Sequence, residues 1–249
     1  MIRVREVTDP HDPAIAGFDT VQRQVYFDPG ALIPTRLFGR MLASGEGERR
    51  NFFVVAEDDA QGRVLGGTFF HYLAAAGTGF SSFMGVAREA RGRGIARQLH
   101  TARFEVLQHA ASGSLPGVFI DVVNPTRLSQ REVERDHAVG SDPWQRLRIF
   151  GHLGFRRVDV RYEQPVGGPN GGPVTSLDLL FCPTPPAADA PLAAPVLDIP
   201  TRLVTATLEA YWTPWLGARE AARHAEALAA RAHHADRLRL VSPEVQAAA

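Results

Sequence analysis

The run Val86-Ala87-Arg88-Glu89-Ala90-Arg91-Gly92-Arg93-Gly94-Ile95-Ala96-Arg97-Gln98-Leu99 constrains this chain more than any other. An apolar strand leads into a glycine-spaced arginine turn, and a helix begins at the second glycine. Two residues without a Cβ let backbone N–H groups converge on one anionic group. The helix N-terminus adds its unpaired donors and the positive end of its dipole. Such a junction suits a phosphate or pyrophosphate, and which phosphate it takes decides the function.

Two nucleotide readings fail on spacing. A P-loop needs a lysine followed by serine or threonine, and all 27 cationic residues of this chain are arginine. A dinucleotide fingerprint needs three glycines after the first strand of a βαβ unit. Here the turn reads Arg-x-x-Gly-x-Ala, lies well inside the chain, and follows hairpin strands.

Periodicity gives the surrounding order. Residues 2–7 alternate apolar and charged side chains, as a half-buried strand does. Residues 12–27 and 34–43 read as helices separated by the turn-forming Asp28-Pro29-Gly30. Strands follow at 51–56 and 64–73, joined by the turn at 58–62, and at 77–86. From Ile95 the spacing of Leu99, Ala102, Val106 and Ala110 predicts one apolar helix face. Residues 117–123 form a nearly all-apolar, hence central, strand. After a polar stretch at 124–142 come a helix at 144–153, a strand at 155–162 and a last strand at 176–181. The pattern predicts an α+β fold around a sheet of about seven strands.

Composition shifts after Cys182. Residues 183–200 carry six prolines and many alanines, the signature of a semi-rigid linker. Beyond them lie the aromatic cluster Tyr211-Trp212-Thr213-Pro214-Trp215 and an alanine-rich helix from about 218 to 237. We therefore divide the chain into residues 1–182 and a helical C-terminal extension, 183–249. So few large aliphatic side chains can hardly support an independent fold, so the tryptophans are expected to dock the extension on the core or on a second subunit, which leaves a homodimer open.

Net charge is zero, which gives no long-range attraction for nucleic acid or an anionic membrane. The single cysteine, Cys182, forms no internal disulfide framework and reads as a packing residue. The N-terminal segment is charged where a signal peptide is apolar, and no apolar run reaches the ~18 residues of a spanning helix. The expected location is cytoplasmic.

On these residues the chain resembles a known family. Arg91-Gly92-Arg93-Gly94-Ile95-Ala96 is similar to the acyl-CoA pyrophosphate motif of the GNAT superfamily of N-acetyltransferases, written Q/R-x-x-G-x-G/A. Met84-Gly85-Val86 resembles its splayed fourth strand, and Ile149-Phe150-Gly151-His152-Leu153-Gly154-Phe155 its later helix-to-strand signature. The likeness covers roughly residues 1–182. It implies a mixed, mostly antiparallel sheet flanked by helices, acetyl-CoA as cosubstrate, no metal, and direct attack by a primary amine. Main-chain donors of Gly92, Arg93, Gly94, Ile95, Ala96 and Arg97 would hold the pyrophosphate, with charge from Arg91, Arg93 and Arg97. Met84 and Val86 would run beside the pantetheine arm as a strand-like partner.

Two departures stand out. The tyrosine that commonly protonates the leaving thiolate is here Phe150, and the strand glutamate that some members use as a base is here Phe80. Proton handling must come from elsewhere, because an aliphatic amine has a pKa near ~10.4 and must shed a proton before attack. Asp121, set among Phe119, Ile120, Val122 and Val123, is the candidate catalytic residue, since an isolated carboxylate in apolar surroundings has a raised pKa; pairing with an arginine is the equal alternative. Asn124 could hydrogen-bond the pantetheine of the cofactor or the substrate, or equally only start a loop. His71 and Tyr72 are strand residues of which one could face the acceptor. Glu57 is expected in solvent, and the histidines at 224, 233 and 234 lack metal-ligand spacing. The charged stretch 124–142 reads as an acceptor lid or, slightly favoured, a solvated loop with a helical turn. These features predict acetyl transfer to a small-molecule amine, the alternative being an acyl-CoA-binding protein with little turnover.

Overall fold

The computed structural model describes residues 1–26, 33–44, 47–168, 171–185 and 196–245. The expected turn at Asp28-Pro29-Gly30 lies outside them. The elements run β1 (Ile2–Glu6), α1 (Ala14–Val25), a 3₁₀ turn (Thr35–Leu37), α2 (Phe38–Leu42), β2 (Arg49–Asp58), β3 (Arg63–Leu73), β4 (Thr78–Val86) and α3 (Ile95–Ala110). Then follow β5 (Gly117–Val123), α4 (Gln130–Ala138), α5 (Pro143–His152), β6 (Arg156–Val158), β7 (Leu177–Pro183), β8 (Asp198–Pro200), α6 (Thr201–Leu216), α7 (Ala218–Arg231) and β9 (Arg237–Val241).

The strands form one sheet in the order β1-β2-β3-β4-β5-β7-β6-β9-β8. All pairings are antiparallel except β4 with β5. The sheet has nine strands among the described residues, two more than periodicity predicts. Both additions, β8 and β9, come from the C-terminal extension. The predicted helix at 218–237 stops at Arg231, where His233 and His234 adopt positive φ and turn the chain. Arg237-Leu238-Arg239-Leu240 then alternates exposed and buried residues, pairing with β8 over Arg237–Arg239 and with β6 at Leu240 and Val241.

Other corrections follow from packing. The strand expected at 155–162 is regular only over β6, because Val160 N–H bonds back to Val158 O and bends the chain. In α3 the buried side is Leu99, Arg103, Phe104, Leu107 and Ala110, while Ala102 and Val106 lie half-buried on its flank. An arginine sits inside because Ser81 Oγ and His100 Nδ1 receive its N–H groups.

Two apolar clusters hold the layers. One joins α1, α2 and α3 to β2–β4, with Phe38 stacked on Phe69. The second joins Phe80, Phe119, Leu179 and Phe181 of the sheet to Val204, Leu208, Tyr211 and Trp212 of α6 and to Ala221, Ala225 and Leu228 of α7. The extension thus docks on the core of its own chain. Trp212 is fully buried, lies parallel to Tyr162 and donates Nε1–H to Gln164 Oε1 at 2.7 Å. No helix of the described residues is long and apolar enough to cross a membrane.

Candidate active site

β4 delivers the glycine-spaced turn. Gly92 and Gly94 both have φ of +75°, a left-handed conformation that costs L side chains ~1–2 kcal/mol and glycine little. Gly94 is the N-cap of α3, and no side chain caps that end. The first helical bond is Gln98 N–H to Gly94 O, and among the described residues no acceptor pairs with the N–H groups of 92–97. A Cβ added at Gly92 would meet nothing within 4 Å, so the turn is open on that side. Arg93 and Arg97 are exposed beside it. Unpaired donors, a dipole end and flanking cations form a cradle that fits a pyrophosphate.

The turn opens onto a seam in the sheet. β4 and β5 pair only at Gly79 with Val118 and Phe80 with Phe119. Beyond that last rung the strands part and leave β4 main-chain groups available to an extended ligand. Met84 and Val86 are half-buried along this stretch, and the Tyr26 hydroxyl donates to Met84 O at 3.0 Å. A bulge in β4 leaves Ser82 without a partner on β3, since Phe70 faces Ser81 and Phe69 faces Phe83.

Ser82 and Asp121 each stand two residues past the last β4–β5 rung. Asp121 has no arginine partner among the described residues. It accepts from the Tyr162 hydroxyl at 3.2 Å, and burial pushes its carboxyl up from 3.8 to about 6. On the same face Ser82 Oγ lies 2.8 Å from His71 Nε2 and 3.1 Å from the Tyr211 hydroxyl. His71 is fully buried, and burial followed by the nearby Arg49 charge holds its pKa well below the usual histidine range. The face therefore holds a carboxylate that titrates near neutrality, a neutral imidazole and two hydroxyls.

Residues 22–132, from α1 into α4, match the Acetyltransferase (GNAT) family. Residues 22–132 thus match a GNAT acetyltransferase domain. No curated protein matches the sequence. Among solved structures, Ard1 from Thermoplasma volcanium aligns with 74% of this chain and 99% of its own, with a TM-score of 0.50 at 11% identity. The ribosomal-protein-S18-alanine N-acetyltransferase from Escherichia coli aligns with 78% of this chain and 100% of its own, with a TM-score of 0.48 at 11% identity. An aminoglycoside 6'-N-acetyltransferase complexed with coenzyme A covers 75% of this chain and 99% of its own, with a TM-score of 0.49 at 15% identity. At such identities the likeness concerns the fold.

Other predicted residues take different posts. Arg91 donates to Gly140 O, and Arg88 donates to Val139 O at 2.7 Å and Ala138 O at 3.1 Å. These arginines cap the C-terminal end of α4, a helix with a Ser129–Glu132 capping box inside the stretch 124–142. The stretch is therefore docked on the phosphate turn rather than loose. Asn124 is buried; it donates to Asp178 Oδ2 at 2.8 Å and accepts from Thr126 N–H. Tyr72 stacks under Arg50. Glu57, expected in solvent, is instead paired with Arg5 at 2.8 Å and is 12% exposed. Phe150 packs edge-on against Phe155, and burial pushes the Cys182 thiol up to about 12, leaving it unreactive. Tyr211, Ser82, Tyr162 and Tyr26 carry no local sequence signal for the site, since tertiary contacts bring them together.

Proposed function

We propose that this chain transfers the acetyl group of acetyl-CoA to the primary amine of a small molecule, by direct attack in a ternary complex. The observation that carries the reading is the seam between β4 and β5, which runs from the free N–H groups of 92–97 to Asp121. In this reading Gly92, Arg93, Gly94, Ile95, Ala96 and Arg97 hold the pyrophosphate, with Arg91 at the rim. Met84 and Val86 flank the arm, and Asn124 keeps the end of β5 in register. Fixing a long flexible cosubstrate this way supplies much of the rate through positioning. Asp121, ionised above about pH 6, takes the amine proton.

A small acceptor is favoured by size and charge. A groove of about 370 Å³, lined by Leu37, Arg40, Met41, Arg49, Asn51 and Trp215, adjoins His71 through Asn51. Its volume is that of a small-molecule pocket. A larger groove of about 840 Å³ lies between α6, α7 and β9 and is lined by no residue of the glycine turn or of the seam, so the chemistry favours the smaller one. The zero net charge argues against a nucleic-acid acceptor.

The second reading, an acyl-CoA-binding protein with little turnover, is favoured by one observation, the missing hydroxyl at Phe150. Release of CoA thiol, measured against a panel of small primary amines and in parallel against peptides with free N-termini or lysines, separates the two. Turnover on a small amine is expected. Turnover on peptides alone would overturn the acceptor class, and binding without turnover on either panel would favour the second reading.

A further inference from the structure

We propose that Tyr211, brought in by helix α6 of the C-terminal extension, donates the proton that the CoA sulfur acquires as the thioester breaks. The inference rests on the acetyl-CoA reading above and answers what replaces the hydroxyl absent at Phe150.

The Tyr211 ring lies flat on Phe80, centroids 3.7 Å apart and planes 15° apart, and Phe80 forms the last rung closing the seam. The ring is 6% exposed, so its hydroxyl is fixed by packing. That hydroxyl rests 3.1 Å from Ser82 Oγ, two residues past the last rung between β4 and β5. The extension therefore places a phenol where the strands part.

The polarity of the hydrogen bonds can be assigned. Asn51 Nδ2 donates to Met41 O at 2.9 Å and Ser44 Oγ at 3.0 Å, so its Oδ1 faces His71 Nδ1 at 2.8 Å. His71 Nδ1 must carry the proton, which leaves Nε2 as an acceptor. Two donors compete for that lone pair, Ser82 Oγ–H and Arg49 Nη2–H, each at 2.8 Å. With Arg49 able to satisfy Nε2, the Ser82 hydroxyl is free to turn and donate to the Tyr211 oxygen. Arg49 also lies 5.1 Å from the Tyr211 ring centroid and donates to the Tyr211 carbonyl at 3.1 Å. No carboxylate among the described residues pairs with Arg49, so its charge bears on the phenol. A phenolate formed during transfer thus has a ready donor and a cation.

The step balances. The amine nitrogen forms a bond to the thioester carbonyl carbon, and the C–S electron pair leaves with sulfur. The Tyr211 proton passes to sulfur, giving the thiol. Asp121 takes the N–H proton and returns it to the phenolate, so no oxidant, reductant or net proton is needed. The charged and titratable groups facing Tyr211 are Arg49 from β2, His71 from β3, Asp121 from β5 and Tyr162 after β6. Burial is the largest influence on the phenol and, with Asp121, opposes its ionisation; Arg49 and the Ser82 hydrogen bond favour it.

The test uses the full chain and free CoA. Tyr211→Phe keeps the ring on Phe80 and removes only the hydroxyl. The thiol of bound CoA, followed by thiolate absorbance against pH, is expected to titrate about one unit higher in Tyr211→Phe than in wild type. Turnover is expected to fall at least about tenfold with acetyl-CoA affinity unchanged. Ser82→Ala, which leaves α6 untouched, is expected to shift both readouts in the same direction by less. Bound CoA that titrates identically in wild type and Tyr211→Phe would overturn the role of Tyr211 alone. Should Tyr211→Phe fail to fold, an unaltered titration in Ser82→Ala would overturn it. Failure of wild type to bind CoA would overturn the cosubstrate reading beneath it.

Discussion

The Tyr162 hydroxyl lies 3.2 Å from Asp121 Oδ2 and 2.8 Å from Gln164 Oε1, which also accepts from Trp212. One O–H serves two acceptors, so Asp121 shares its side-chain donor, adds a backbone hydrogen bond, and has no cation partner among the described residues. Burial dominates, and the carboxyl rises from 3.8 to about 6. The folded protein thus retains a proton that the unfolded chain releases. The contribution of Asp121 to stability is greatest below the unfolded pKa near 3.8 and declines as pH rises toward about 6. The cost above that window is at most ~3 kcal/mol, because part of the residue remains accessible to solvent.

Asp121→Asn is expected to push stability and activity in opposite directions. Urea denaturation near pH ~8 should find the variant more stable than wild type, by up to ~3 kcal/mol, with the gap closing near pH ~4. Turnover should fall by about 10²–10⁴, and the acidic limb of the rate profile near pH 6 should vanish. An unchanged rate and profile would remove Asp121 from the chemistry.

Trp212 anchors the extension and is fully enclosed by α6, α7 and the sheet. Trp212→Ala is expected to cost ~3–5 kcal/mol in equilibrium unfolding. Because the same helix carries Tyr211, turnover should drop along with stability. A loss below ~1 kcal/mol would mean the extension packs loosely.

Arg5 bridges Asp12 at 2.7 Å and Glu57 at 2.8 Å, tying β1 and β2 to the start of α1. Its hydrogen bond holds the Asp12 carboxyl below its ordinary value of 3.8. A depressed acid contributes stability that is present above the unfolded pKa and lost as pH falls through the folded one. Arg5→Met should therefore destabilise by ~1–3 kcal/mol at pH ~7, and the difference should shrink below pH ~4. Thermal denaturation at both pH values checks this; a constant difference would exclude the ionic contribution.

Features encoded by neighbours in the chain were legible in the sequence. The strand, glycine turn and helix from Val86 to Leu99 form as expected, as do the β2–β3 hairpin and α5, which Asp142 caps ahead of Pro143. The alternation of Arg237-Leu238-Arg239-Leu240 was also readable, but the alanine-rich run before it masks the change of period. Other features depend on distant partners. Glu57 finds Arg5 across a strand pair, Arg103 is tolerated inside because Ser81 and His100 meet it, and Tyr211 reaches Ser82 from 129 positions away. Periodicity reports which face a residue occupies and is silent on what stands opposite. That is why Asp121 could be singled out from its apolar neighbours while its partners Tyr162 and Gln164 could not.

The central claim is that the turn at Gly92–Gly94 and the seam behind it bind acetyl-CoA. Isothermal titration of acetyl-CoA into wild type and Gly94→Val tests it most directly. The φ of +75° at Gly94 strains a β-branched side chain, whose Cβ also intrudes on the anion's approach. Saturable binding to wild type, weakened at least about tenfold in a folded Gly94→Val, is the predicted result. No binding to wild type, or equal binding to both proteins, would contradict it.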